Sequence, residues 1–80
     1  MINKLQALRV RSKAGELIRR IELLYKTHVK DRTMPDSFWA ACEKLDERFS
    51  EKMYATESDM EMSAICRATE AEFIRLLKET

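Results

Sequence analysis

Reactive side chains are few in this chain of eighty residues, which holds one histidine, His28, and two cysteines, Cys42 and Cys66. A metal site built on His28 would need partners at ligand spacing, and the sequence offers no second histidine and no CxxC pair. His28 instead continues an apolar stripe one heptad after Ile21, a position that predicts a half-buried packing residue. Both cysteines also fall on apolar stripes. In an antiparallel hairpin turning near residue 57, Cys42 stands level with residue 72, about 9 Å along the axis from Cys66. A disulfide needs Cα atoms within roughly 7 Å, so the two read as buried thiols in a reducing cytosol.

Glu43, Asp46, Glu47 and Glu51 are the densest carboxylate group, but Lys44, Arg48 and Lys52 are interleaved with them at the spacing of helical surface pairs. General acid–base catalysis needs carboxylates in a pocket with displaced pKa values, and a solvated helix face supplies neither. There is no glycine-rich phosphate loop, no GxSxG and no Cys/His arrangement of catalytic type. The expectation is a protein without catalytic residues, metal, cofactor or small-molecule substrate.

The elements that carry these residues are helical. One glycine and one proline cannot punctuate a sandwich or barrel, whereas 36% charged residues suit helices with wet faces. No apolar run is long enough to cross a membrane, and Arg9, Arg11 and Lys13 interrupt any signal-peptide core, so the expected location is the cytoplasm. Charge splits the chain. Residues 1–32 hold nine Lys/Arg against three acids, and residues 33–80 hold six against eleven. The two halves attract, within one chain or between two.

The clearest boundary is Thr33-Met34-Pro35-Asp36, with Thr33 as N-cap and Pro35 in the first turn. Phe38, Cys42, Leu45, Phe49 and Met53 then recur at helical steps and predict a helix from about Met34 to Ala55. Ser58-Asp59-Met60-Glu61 fits a capping box and predicts a second helix from about Asp59 to Lys78, with one kinked helix over 34–78 as the alternative. Met53, Met60 and Met62 gather at the turn between them, as core fillers or as an adaptable surface. In the basic half, Leu17, Ile18, Ile21, Leu24, Tyr25 and His28 share one face, while Leu5 and Leu8 point away from it. The chain either breaks near Ser12–Gly15, giving a fourth helix, or runs through as one long helix, the reading preferred here.

The fold expected is therefore all-α: a single domain over 1–80, a small bundle or hairpin of three or four helices, completed by homodimerisation. A core this small supplies only ~3–5 kcal/mol unaided. Leu5, Leu8, Trp39 and Tyr54 lie off their core stripes and are the expected dimer or partner contacts. Arg9, Lys13, Arg19, Arg20 and Lys30 cluster opposite the Ile21 stripe and could meet phosphates.

Residues 5–22, Leu5-x-x-Leu8-Arg9 followed by Leu17-x-Arg19-x-Ile21-Glu22, resemble the corresponding helices of the Hha/YmoA modulators. That likeness implies a small helical protein that binds a nucleoid protein. The acidic–histidine segment of that family's third helix has no counterpart around Phe38–Met53. In its short, charged, helical character the chain is also similar to accessory proteins of phages and mobile elements. The function expected is a non-enzymatic protein-interaction module acting as a homodimer with an unidentified protein partner and no membrane. The alternative is a nucleic-acid-associated regulator using the basic helix 4–32.

Overall fold

The computed structural model describes residues 4–80, with the side chains of Lys4 and Gln6 outside the description. The first three residues of the basic segment thus lie outside the described ones. Three helices follow one another: α1 over Lys4–Val29, α2 over Asp36–Ala55 and α3 over Asp59–Glu79. The chain does not break at Ser12–Gly15. Gly15 weakens α1 by about 1 kcal/mol relative to alanine, a cost that the strong helix formers around it and the packing of one face offset.

α1 ends where Lys30 turns into the left-handed region at φ 54°. The Arg32 amide donates to the Val29 carbonyl at 3.0 Å, and the Arg32 guanidinium donates to the His28 carbonyl at 2.9 Å. A cation thus covers the negative end of the helix. α2 starts two residues later than the sequence predicts. Pro35 is its N-cap residue, extended at φ −68°, ψ 158°, with no side-chain cap. The proline ring disfavours helical geometry at the residue before it, so Met34 cannot be the first helical residue and Thr33 cannot be the cap. Met34 is instead buried in the core.

Between α2 and α3 the backbone is extended at Thr56 (φ −118°, ψ 149°), which replaces the single kinked helix by two. The Ser58 hydroxyl accepts from the Glu61 amide at 3.3 Å, as the capping box requires. The reciprocal half differs. The Glu61 carboxylate takes the Thr56 hydroxyl, and Thr56 Oγ1 accepts from the Ser58 amide at 3.2 Å. Three side chains thus lock a three-residue turn. Ser58→Ala should lower stability by about 0.5–2 kcal/mol in urea denaturation; an unchanged midpoint would mean that Thr56 and Glu61 hold the turn alone.

Short connections make α2 antiparallel to both neighbours, so α1 and α3 run parallel. Their polar contacts keep one register. Arg9 faces Asp59 at 4.0 Å, Lys13 Nζ donates to Ser63 Oγ at 3.1 Å, and Arg20 Nε donates to Glu70 at 2.9 Å, each pair fifty positions apart. The basic and acidic halves meet here inside one chain.

The core has two parts. Val29, Met34, Phe38, Leu45, Phe73 and Leu77 fill one end. Val10, Leu17, Phe49, Met53 and Met62 fill the other, and Ile21 packs against both. Met53 and Met62 are fully buried, so these thioethers fill the core, while Met60 is exposed. The stripe on α1 differs from the one read in the sequence. Ile18 and His28 are exposed, whereas Val10 and Val29 are buried. From Ile21 the covered face steps by fours through Tyr25 to Val29, because the Met34 connection folds back over that end. His28 is left in solvent rather than half-buried. Among the described residues, no helix is long and apolar enough to cross a membrane.

Candidate interaction surface

α3 packs along both other helices, while α1 and α2 touch far less, with aromatic contacts at the end that holds Tyr25. There the rings gather: Tyr25 lies 5.6 Å from Trp39 and 6.4 Å from Phe38, Phe38 meets Trp39 edge-on at 5.1 Å, and Phe38 lies 6.1 Å from Phe73. Bulky aromatic side chains fix the separation at this end. Towards the other end Ala14, Gly15 and Ile18 on α1 and Asp46, Ser50 and Tyr54 on α2 line an open space that they do not fill. The result is a cleft of about 450 Å³ between α1 and α2, floored by Phe49, Thr69 and Phe73. Its walls are mainly apolar. A Cβ built on Gly15 would meet nothing within 4 Å.

Several large apolar side chains of α1 and α2 remain uncovered, Ile18 and Tyr54 of them at the cleft itself. Leu8 is 58% exposed, Ile18 53%, Trp39 48% and Tyr54 41%. Leu5 and Leu23 are exposed as well. All four residues that the sequence marks as contacts therefore stand at the surface. They do not form one patch. Tyr54 lines the cleft, Trp39 packs against Tyr25, and Leu5 and Leu8 lie on the first turns of α1. Ile18 and the cleft itself were not legible in the spacing, which placed Ile18 in the core.

The five basic residues separate. Arg9, Lys13 and Arg20 turn towards α3 and engage Asp59, Ser63 and Glu70, so they do not form a ridge opposite the core. Arg19 is exposed and its Nε donates to the Gly15 carbonyl at 3.4 Å, while Lys30 sits beyond the helix end. A second cleft of about 260 Å³ between α1 and α3 is lined by Lys13, Arg20, Ser63 and Glu70 together with Glu16 and Arg67.

Cys42 and Cys66 are free, half-buried, and belong to opposite parts of the core. Burial pushes both thiols up from their ordinary value; for Cys66 the nearby Lys13 works against that rise. Neither has the lowered pKa of a reactive nucleophile. At the far end of α3 the Arg75 guanidinium bonds Glu72 and Glu79, and that bond holds the Glu72 carboxyl below the usual carboxylate range. Among the described residues, no three His, Cys, Asp or Glu side chains gather in a way that could hold a metal ion. Glu43, Asp46, Glu47 and Glu51 all stand exposed on α2.

Comparison with protein-family models, curated proteins and solved structures found no match.

Proposed function

We propose that this chain is a small non-enzymatic protein-interaction module, a regulatory or accessory protein that works as a helical homodimer. The observation that carries the reading is the open, mainly apolar cleft between α1 and α2, lined by exposed Ile18 and Tyr54, with exposed Leu8 and Trp39 elsewhere on the same two helices. A small domain gains little by leaving such a surface in water, and covering it with a partner recovers burial that its own core lacks. The non-enzymatic part is supported by the thiols, which burial makes less reactive, and by carboxylates that lie on solvated helix faces. Gel filtration coupled to light scattering, at tens of micromolar protein, should report a dimer of 9.4 kDa chains. A monomer across that range would overturn the homodimer.

A second reading is a nucleic-acid-associated regulator that uses the basic helix 4–32. Arg11, Arg19 and Lys26 favour it, since all three are exposed on α1. Arg9, Lys13 and Arg20 weigh against it, because α3 already engages them. A mobility shift on duplex DNA at low and moderate salt separates the two readings. Nucleic-acid binding predicts a shift that falls steeply with salt, and Arg19→Ala should reduce the slope by about one counterion. The interaction-module reading predicts no shift even at low salt.

A further inference from the structure

We propose that α1 is the contact between two copies, and that a second copy lays its own α1 antiparallel along it with Arg11 of each copy paired to Glu22 of the other. This rests on the homodimer reading and adds the surface that makes it. Along α1, positions 8, 11, 15, 18, 22 and 25 follow steps of three and four, the spacing of a seam between two packed helices. Leu8, Arg11, Ile18 and Glu22 are exposed on that seam, and Gly15 and Tyr25 are partly covered. Arg11, Gly15 and Ile18 also line the cleft, so the middle of the seam runs along the side of α1 that α2 leaves open, while Tyr25 at its end packs against Trp39 and Phe38.

Reversal about the midpoint of Lys4–Val29, between Glu16 and Leu17, maps the seam onto itself. Leu8 of one copy then meets Tyr25 of the other, Arg11 meets Glu22, and Gly15 meets Ile18. Such a two-fold contact is closed, so it stops at two copies. The charges choose this direction. A parallel pairing would set Arg11 against Arg11 and Glu22 against Glu22, whereas the antiparallel one makes two opposite-charge pairs. Neither Arg11 nor Glu22 has an ion-pair or hydrogen-bond partner among the described residues. Arg9, Lys13 and Arg20 are turned to α3, which leaves Arg19 and Lys26 as the exposed cations beside the seam.

Gly15 stands at the centre of the same seam. A glycine in the middle of a helix costs stability, and the packing of one chain gives no reason for it, since an added Cβ would stand in open space. In the paired arrangement the Ile18 side chain of the second copy lies over Gly15, and the missing Cβ lets the two backbones approach.

Sedimentation velocity on the full chain tests this through charge reversal. Arg11→Glu and Glu22→Lys each place two like-charge pairs across the seam, and each variant alone should dissociate, with a dimer constant weakened at least about tenfold. Mixed in equal amounts, the two variants should form a heterodimer again. The introduced glutamate of one then faces the introduced lysine of the other, and the native Arg11 faces the native Glu22. Both positions are exposed, so circular dichroism should show both variants folded. If a charge reversal unfolds the chain, Arg11→Gln and Glu22→Gln take its place, each with a weakened dimer expected. Single variants as dimeric as the wild type would overturn the proposal and leave the homodimer standing on another face. Dissociated variants that do not recover on mixing would overturn the reciprocal pairing. A monomeric wild type would remove both the proposal and the homodimer.

Discussion

Phe73→Ala should remove about 3–5 kcal/mol of stability and leave much of the protein unfolded at physiological temperature. Phe73 projects from α3, the helix that packs along both others, and is buried. Its ring lies 6.1 Å from that of Phe38 and forms part of the cleft floor. Truncation therefore loses the transfer energy of a benzyl group and extends an existing cleft into the core. Such a cavity relaxes poorly, because Val29, Met34 and Leu77 are held on three different segments. A core of this size holds only about 3–5 kcal/mol, so one such loss can match the whole margin. Urea denaturation followed by helical ellipticity measures it. A loss under about 1 kcal/mol would mean that α1 and α2 can close over the gap.

The second large effect is expected at Met53. It is fully buried one turn before the α2–α3 connection, in the core cluster that also holds Met62, Phe49 and Val10. Met53→Ala should cost about 2–5 kcal/mol, whereas Met53→Leu, which nearly conserves volume, should cost less than about 1.5 kcal/mol. The contrast is the test. If leucine were as damaging as alanine, the flexible thioether itself would be required there, and an adaptable packing role would replace simple filling. The thermal midpoints of the two variants decide between these.

α2 and α3 were legible in the sequence because each buries a stripe with one dominant period. Phe38, Leu45, Phe49 and Met53 are buried on α2, four of the five residues the spacing predicts, and Met62, Thr69, Phe73 and Leu77 are buried on α3. The hairpin turn was legible too, since Ser58 caps α3 as its motif requires. α1 was harder. Its spacing assigns an angle around the helix but not which neighbour covers that angle. Ile18 and Ile21 lie close on the wheel, yet α2 diverges from the side of Ile18 and leaves it in water. Arg9, Lys13 and Arg20 looked like a free positive face for the same reason. Only the parallel docking of α3, a contact across fifty positions, shows that they are engaged. The exposure of Leu5, Leu8, Trp39 and Tyr54 followed from their distance from the stripes, while the cleft depends on relative helix placement, which local spacing does not encode.

The parallel register of α1 and α3 also sets an order of assembly. α2 and α3 are joined by three residues, so their first contacts close a very short loop. α1 reaches α3 only across fifty positions, at a higher entropic toll, and gains little from α2 on the way. The hairpin is thus the template and the long basic helix the late arrival.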